Sequence, residues 1–458
     1  MTDLVRKLTV LVGLLVVVQV AELLRGRDAA VTPGVVTMIF GFAVLAGHFS
    51  GRLLAVLTLP RITGYLLAGV VLGPFAFGVV DLEIRDRLQM INQIALGLIA
   101  LTAGGELRIA ELRPRLRAIG WVTVLQTAVV FGVMVAALLL LDRSLELTLT
   151  AGATSAEVLA MALILGLIGV ANSPASTVAV INEARARGPL TTLALGVTVV
   201  KDVVVVVLIA VTLALVGAMV DPESALGARV LLEVLAEIGL SLGLGVVTGA
   251  VIILYLRKVQ HDVALFVLAA VLVAIDGSRR IEHLSGIHVH VLLIAMTAGF
   301  VVENFSAGGE RLIRGIERSS LPIYVVFFTL SGVGLDLLSL RSLWALTLAL
   351  AVLRTLLLMG TTWAGCWLAA DPPQVRRWGF APFVAQAGIS LGLAELVAIR
   401  YPGWGDQVKT VVLAMIAIHQ LIGPVLFKIA LRVTGEEAAV QEPAARRQPE
   451  SPSGARAT

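Results

Sequence analysis

Long apolar runs follow one another along this chain, and they restrict the folds that it can adopt. Hydrophobic residues make up 58% of the sequence, charged residues only 14%, and the mean hydropathy is +0.96. About 20 apolar residues in a helix cross the hydrocarbon core of a bilayer, where every backbone N–H and C=O must be paired within the protein. The sequence therefore predicts an all-α polytopic membrane protein with about 13–14 transmembrane helices. The candidate spans are 8–25, 35–57, 61–80, 91–107, 116–141, 152–182, 189–220, 230–256, 262–276, 286–303, 320–338, 342–370, 378–399 and 410–431.

Lys201 and Asp202 stand side by side inside the apolar run 189–220. A charged residue at the centre of a bilayer costs at least ~2.5–3.5 kcal/mol on insertion scales, so it needs a partner or a water-filled cavity. The pair therefore marks the predicted working site. A carboxylate there can bind Na⁺ or K⁺, because hard cations prefer oxygen ligands, and it can hold a proton instead. The alternative interpretation is a buried Asp202 that is kept only by an ion pair with Lys201 or Arg354.

Two spans carry residues that break a helix near its middle. Residues 171–177 read Ala-Asn-Ser-Pro-Ala-Ser-Thr, and residues 385–388 read Ala-Gln-Ala-Gly. Pro174 removes an N–H and disfavours helical geometry at Ser173, so backbone groups there need other partners. Pro and Gly are common in membrane helices in general, but two broken helices in corresponding halves of a transporter indicate a midplane binding site. The residues predicted to line the breaks are Asn172, Ser173, Ser176 and Thr177 in the first and Gln386 and Gly388 in the second.

Internal similarity and composition suggest how the chain is organised. Segments 95–113 and 324–341 resemble each other, since each is an apolar run followed by a Gly-rich stretch and an acidic, Leu-containing exit that ends in Arg. We predict inverted repeats at about 60–220 and 286–432 within a membrane domain at 31–432. An additional N-terminal transmembrane helix at 1–30 precedes this domain, and a disordered cytoplasmic tail at 433–458, rich in Pro, Ala and Arg, follows it.

The distribution of charge predicts orientation rather than a nucleic-acid partner. The net charge of +4 comes from basic residues spread over short loops, so we expect no binding of nucleic acid. With the predicted spans, most loop Lys and Arg residues lie on the same side of the membrane as the N-terminus. The positive-inside rule then predicts a multi-pass protein of the inner (plasma) membrane with both termini in the cytoplasm. The single cysteine, Cys366, rules out an intrachain disulfide and a cysteine metal site. We expect no cofactor and no bound metal besides the transported ions.

Four motifs point to one family. Residues 59–74 read Leu-Pro-Arg-Ile-Thr-Gly-Tyr-Leu-Leu-Ala-Gly-Val-Val-Leu-Gly-Pro, residues 173–183 contain the first break, and residues 327–336 and 386–394 are rich in Gly and Ser. All four resemble motifs of the cation:proton antiporter-2 family, which includes Kef-type potassium efflux systems and bacterial sodium/proton antiporters. The resemblance implies an inverted-repeat antiporter fold with two crossed, broken helices and a homodimer. It implies the exchange of Na⁺ or K⁺ for protons by alternating binding at Asp202.

The chain departs from that family at Lys201. Family members have Asp, Gln or Asn before the aspartate, whereas this chain has a base, and Arg354 takes the place of the family's later Lys or Arg, where it balances charge. Neighbouring helical residues point ~100° apart, so Lys201 need not touch Asp202, and Asp202 could pair with Arg354. Three interpretations remain: Lys201 releases a proton as the cation arrives, it is a permanent counter-ion that tunes affinity, or the fold has lost cation exchange and is a sensor, scaffold or anion transporter.

Other classes of function fit the sequence poorly. Residues 332–336, Gly-Val-Gly-Leu-Asp, resemble the Gly-x-Gly-Asp of membrane aspartyl proteases, but the register differs by one residue and no Tyr-Asp partner occurs in any span. We therefore predict that the protein is not an enzyme. A Gly-x-Gly-x-x-G strand-turn-helix unit is missing after the membrane part, so we expect no fused nucleotide-binding regulatory domain. The expected partners are the cation, the proton, membrane lipid and a second copy of the chain.

Overall fold

Every regular element in the described part of the chain is helical, as the sequence predicts. A computed structural model describes residue 13 and residues 33–145, 149–150, 152–220, 228–259, 261–287, 289–334, 340–386, 388–401 and 403–438. Of the predicted span 8–25, only residue 13 lies among them. The first helices are α1 Pro33–Val56, α2 Arg61–Leu72, α3 Leu82–Arg87, α4 Gln89–Gly105, α5 Ile109–Leu112, α6 Leu116–Leu125, α7 Phe131–Leu145, α8 Ser155–Val170, α9 Pro174–Ala184 and α10 Pro189–Val220.

The remaining helices complete a multi-pass bundle. Seven segments of the described chain are long and apolar enough to cross a membrane, and three shorter apolar helices accompany them. The later helices are α11 Ala228–Lys258, α12 Val263–Ser285, α13 Val291–Phe305, α14 Gly309–Val333, α15 Leu340–Leu368, α16 Pro373–Trp378, α17 Gly388–Arg400 and α18 Gly405–Thr434. The seven long segments are Gly34–Val56, Ile109–Asp142, Ser155–Ala184, Pro189–Gly217, Leu235–Lys258, Trp344–Leu368 and Gly405–Thr434.

Several predicted boundaries shift for local reasons. The span predicted at 61–80 ends as a helix at Leu72, because Pro74 disfavours helical geometry at Gly73, whose backbone is extended. α12 continues past the predicted 276 to Ser285, and its C-cap Gly286 has a positive φ of 70°, a backbone geometry that glycine adopts without strain. α14 begins at Gly309, well before the predicted 320. The apolar pattern locates the spans, whereas the helices extend into polar sequence beyond the membrane core.

The helix that carries Lys201 and Asp202 contacts several other helices of the bundle. α10 packs against α8, α6 and α11, and Lys201 and Asp202 are both buried. A second tight contact, between α4 and α13, depends on small residues, because a Cβ on Gly104 or Gly299 would overlap the backbone of the facing helix. Close helix contacts of this kind leave no room for lipid or water between α4 and α13.

The end of the last helix is tied to the start of α10. The carboxylate of Glu436 accepts hydrogen bonds from the backbone N–H of Leu190, 2.6 Å, and of Thr191, 2.8 Å, and from the Thr191 hydroxyl, 2.7 Å. These bonds satisfy N–H groups at a helix N-terminus, where a negative charge is also favoured. The predicted start of the disordered tail at 433 is therefore too early. α18 continues to Thr434, and backbone hydrogen bonds extend to Ala438. Residues 439–458 lie outside the described residues.

Candidate ion-binding site

The first helix break lies where the sequence predicts it. α8 ends at Val170, Ala171 and Ser173 have extended backbone angles, and α9 restarts with Pro174 in its first turn. Ser173 caps the new helix, since its Oγ accepts a hydrogen bond from the backbone N–H of Ser176 at 3.2 Å. Pro174 is suited to this position because its missing N–H would have had no partner in the first turn. The break therefore follows from local chemistry.

The second break crosses the first in direct contact. A 3₁₀ turn at Ala381–Phe383 is followed by non-helical backbone up to Gln386, and α17 begins at Gly388. The backbone N–H of Ser173 donates to the carbonyl of Ala385 at 2.8 Å, and the Thr177 hydroxyl donates to the carbonyl of Pro382 at 3.0 Å. The non-helical segments of the two breaks thus pair some of each other's backbone hydrogen-bonding groups, which have no water to bond to inside a bilayer.

Arg354 joins the two breaks through their carbonyl groups. Its side chain, 0% exposed, extends from α15. The guanidinium donates to the carbonyls of Gly169 at 2.8 Å and Ala171 at 2.7 Å, at the end of α8. It also donates to Val384 at 2.8 Å and Phe383 at 3.2 Å in the second break. A planar guanidinium offers five N–H donors, and a positive charge is favoured at the C-terminus of a helix, so Arg354 suits this position. It engages backbone rather than Asp202.

Gln386 fastens the same junction from the second break. Its Nε2 donates to the carbonyl of Ile168 at 2.7 Å, and its Oε1 lies 2.9 Å from Nδ1 of His419. His419, on α18, lies within 3.2 Å of the carbonyl of Ala351 and 3.3 Å of the Thr355 hydroxyl on α15. Gln386 therefore lies at the crossing, and both ends of its amide contact protein groups. Gly388 is the first residue of α17.

Hydroxyl groups of the first break form a connected set with an unpredicted residue, Gln420. The Oγ atoms of Ser173 and Ser176 lie 2.9 Å apart, and Nε2 of Gln420 donates to Ser176 Oγ at 2.9 Å. The Thr177 hydroxyl also lies 3.2 Å from the carbonyl of Ser173, so its single hydrogen is shared between this carbonyl and that of Pro382 in the second break. His419 and Gln420 are adjacent polar residues within the apolar run 410–431, and this was the available sequence signal for both.

Asp202 keeps an unused oxygen in this buried surrounding. Its side chain is 2% exposed, and its Oδ2 is buried with no hydrogen-bond partner among the described residues. Asn172 lies nearby, since its Nδ2 approaches the hydroxyl of Thr198, one turn before Asp202, at 3.4 Å. The Asn172 Oδ1 and the Gln420 Oε1 are likewise buried without a partner in the described chain. Unpaired buried oxygens are costly to a fold and are the ligands that a hard cation requires.

Lys201 points away from Asp202 and towards Gln126. Its Nζ donates to Gln126 Oε1 at 2.7 Å and lies 5.7 Å from the centre of the Phe383 ring. Within the described ranges, Asp202 forms no ion pair with either Lys201 or Arg354. The divergence of the two neighbouring side chains follows the expectation from helical geometry, whereas the alternative pair between Asp202 and Arg354 does not form. Gln126 was not predicted as a site residue.

A cavity opens next to the N-terminal end of α10. Its volume is about 640 Å³, and it extends along α10 to Leu195, about two helical turns before Asp202. Asp202 itself is not part of its wall. Its charged lining residues are Glu106, Arg108, Glu111, Arg185, Arg187 and Glu310.

Comparison with known proteins identifies the architecture. The family model for the transmembrane sodium/hydrogen exchanger matches residues 35–433. A structure at pH 8 of the sodium proton antiporter MjNhaP1 from Methanocaldococcus jannaschii aligns with a TM-score of 0.63 and 15% identity, over 87% of this chain and 96% of that chain. An electron-microscopy structure of the same antiporter gives 0.68 and 16%, over 89% and 100%. No curated protein matches the sequence. At this identity the structural similarity shows a shared inverted-repeat antiporter fold with two crossed, broken helices.

Proposed function

Because the chain belongs to the sodium/hydrogen exchanger family, we propose that it exchanges a monovalent cation, Na⁺ or K⁺, for protons by alternating binding at Asp202. The observation that carries this proposal is the buried Oδ2 of Asp202, which has no partner in the described chain although two basic side chains are buried in the same region. Membership of an exchanger family also favours transport over enzyme activity.

The chemistry of Asp202 supports exchange. One carboxylate can hold a cation or a proton, and each disfavours the other, because a proton removes the negative charge that attracts the cation and a bound cation repels the proton. The first break next to the carboxylate supplies neutral oxygens, of which Asn172 Oδ1, and Gln420 Oε1 on the side chain that contacts Ser176, have no partner in the described residues. Oxygen ligands suit Na⁺ and K⁺, which are hard cations. Binding of the cation would then release the proton, and the reverse step would complete the exchange.

In this proposal, residues of the two breaks supply further oxygen ligands for the cation and hold the backbone of the crossing in place. Ser173, Ser176 and Thr177 line the first crossing, and their hydroxyl oxygens keep lone pairs that could join the coordination of the cation. Arg354 and Gln386 hold the carbonyls of both breaks. In this proposal they keep the crossing together, and Arg354 balances part of the charge.

The surroundings of the site support a direction of access. The positive-inside rule places Arg108, Arg185 and Arg187 in the cytoplasm, so the 640 Å³ cavity that they line would open to the cytoplasm. We propose that cations and protons reach Asp202 from this side. We further propose that the protein lies in the inner membrane with both termini in the cytoplasm, as the positive-inside rule predicts, and that it is a homodimer, as the resemblance to the cation:proton antiporter-2 family implies.

Cation-induced proton flux in proteoliposomes tests the proposal. Vesicles that contain a pH-sensitive dye and the purified protein would receive Na⁺, K⁺ or Li⁺. We expect flux with the wild type, loss of flux in Asp202→Asn, and wild-type flux in the matched control Asp276→Asn, whose carboxylate is exposed and pairs with Arg280. Undiminished flux in Asp202→Asn would contradict the proposed role of this carboxylate. A silent wild type together with an active Lys201→Gln would instead indicate an antiporter fold with a different role.

A further inference from the structure

Gln126 occupies an unusual place in the bundle. It is the first residue of a π-helical turn, Gln126–Val130, that joins α6 to α7. Such wide turns are rare and frequently occur at functional sites. Its side chain is 0% exposed although Gln is usually found at the protein surface. A buried amide at a π turn needs a specific reason, and its contacts provide one.

The hydrogen-bond network fixes which end of the Gln126 amide faces Lys201. The hydroxyl of Thr362 donates its single hydrogen to the carbonyl of Leu358 at 2.6 Å. It must therefore accept the bond that joins it to Gln126 at 2.8 Å, so the amide nitrogen points to Thr362. The amide oxygen then faces Lys201, whose ammonium has donors only. The two assignments agree.

The ammonium of Lys201 is thus held in a receptor that is separate from Asp202. The receptor consists of the Gln126 oxygen at 2.7 Å and the face of Phe383, with its ring centre at 5.7 Å. A cation over an aromatic ring within about 6 Å is attracted to it. Without this receptor, a buried ammonium would turn to the strongest nearby acceptor, and the carboxylate on the next residue is such an acceptor. It would then compete with the transported cation.

We infer that Gln126 is a positioning residue that holds the Lys201 ammonium away from Asp202 and so keeps this carboxylate available to the cation. The inference rests on the proposed function, because it assumes that Asp202 binds the transported cation. It also assigns a role to the base that sets this chain apart from its relatives. The lysine remains a source of positive potential near the site, and Gln126 sets how strongly that potential opposes cation binding.

A double-mutant cycle tests the inference through equilibrium binding of the cation. The apparent Kd for Na⁺, or for K⁺ if it stabilises more strongly, is obtained from cation-dependent thermal stabilisation of the purified full chain. The proteins are wild type, Gln126→Leu, Lys201→Gln and the double variant. We expect Gln126→Leu to raise the Kd about tenfold, which corresponds to an interaction energy within the range found by double-mutant cycles for residues in contact. When Lys201 is already Gln, the same change should alter the Kd less than about twofold.

The conservative variants sharpen this result. Gln126→Glu keeps an oxygen acceptor for Lys201, so its Kd should stay well below that of Gln126→Leu. Thr362→Val removes the group that orients the amide, so it should raise the Kd in the same direction but by a smaller factor. An equal rise of the Kd for Gln126→Leu in both backgrounds would overturn the inference, because a general defect of the fold does not depend on Lys201. Loss of cation binding in Lys201→Gln would also overturn it.

The same proteins separate the inference from the proposed function. Normal proton flux in the wild type, its loss in Asp202→Asn and additive Kd values in the cycle would contradict only the role of Gln126. Cation binding by the wild type without any proton flux would contradict the exchange, and the cycle would still decide the role of Gln126. If the wild type bound no cation, both would fail.

Discussion

The two buried bases of this site are held in different ways. Arg354 donates to four backbone carbonyls from two crossed breaks, whereas Lys201, among the residues that the structure describes, donates to one side-chain oxygen on a π turn. Backbone carbonyls at a break have few other partners, so a side chain that satisfies four of them becomes part of the fold. A side chain with one neutral acceptor can change partners at small cost. We therefore interpret Arg354 as a structural cross-link and Lys201 as a charge whose position is adjustable.

The largest effect should come from Arg354→Leu. The change leaves four buried carbonyl contacts unmet, and each buried polar group without a partner costs about 1–3 kcal/mol, so the free energy of unfolding should fall by at least about 3 kcal/mol. Arg354→Lys should not restore it, because an ammonium lacks the planar fork of donors. Thermal unfolding in detergent measures both. If Lys201→Leu destabilised the protein as much as Arg354→Leu, the contrast between the two bases would be wrong.

Gln386→Leu should have the next largest effect on stability. It removes the donor to the carbonyl of Ile168 and the partner of His419, so we expect a loss of about 1–3 kcal/mol in the free energy of unfolding. The same thermal assay applies, with the half-buried Gln93→Leu as the matched control, since Gln93 accepts an exposed hydrogen bond from Arg279. Equal melting temperatures for the two variants would show that Gln386 does not stabilise the crossing of the two breaks.

Lys201→Gln should change cation affinity more than stability. A buried positive charge opposes cation binding at a neighbouring carboxylate by about 1–2 kcal/mol at an effective dielectric constant near 20, so its removal should lower the apparent Kd for the cation about tenfold. The melting temperature without cation should move less than in Arg354→Leu. A raised Kd would show that Lys201 assists cation binding, which is the opposite of what its position implies.

The smallest effect is expected at the N-terminus of α10, the helix that carries Lys201 and Asp202. Glu436→Gln weakens a charged cap on the N-terminus of α10, which is worth about 0.3–1 kcal/mol, and should leave the Kd for the cation unchanged. Glu437→Gln is the matched control, since Glu437 pairs with Arg432 near the surface. A change in cation affinity in Glu436→Gln alone would indicate that the end of α10 is coupled to its centre.

Local chemistry explains which parts of this architecture the sequence could predict. Pro174 after Ser173 is sufficient to place the first break, and the angle between consecutive helical residues allows Lys201 and Asp202 to point in different directions. The apolar pattern placed the spans, but it set several boundaries incorrectly, because the helices continue into polar sequence beyond the apolar runs. The tail boundary at 433 was too early for the same reason: the apolar pattern gives no sign of the cap that Glu436 provides.

The partners of the buried charges could not be predicted in the same way. The acceptors of Arg354 are carbonyls as far away in sequence as Gly169, and a carbonyl group carries no signal in the side-chain pattern. Gln126 is one of a few polar residues in the apolar run 116–141, next to Thr127, and nothing in that run marks a π turn. Its role depends on where α15 places Thr362 and on where α10 places Lys201, and both positions are set by tertiary packing.

Proton release on cation binding tests the central claim most directly. Purified protein in weakly buffered detergent solution, with a pH-sensitive dye, is mixed with increasing Na⁺ or K⁺, with choline as the control for ionic strength. If one carboxylate holds either a proton or a cation, the wild type should release protons in a saturable manner, and Asp202→Asn, which has no carboxylate there, should release none. Equal proton release from the wild type and Asp202→Asn, or cation binding by the wild type with no release at any pH, would contradict the account.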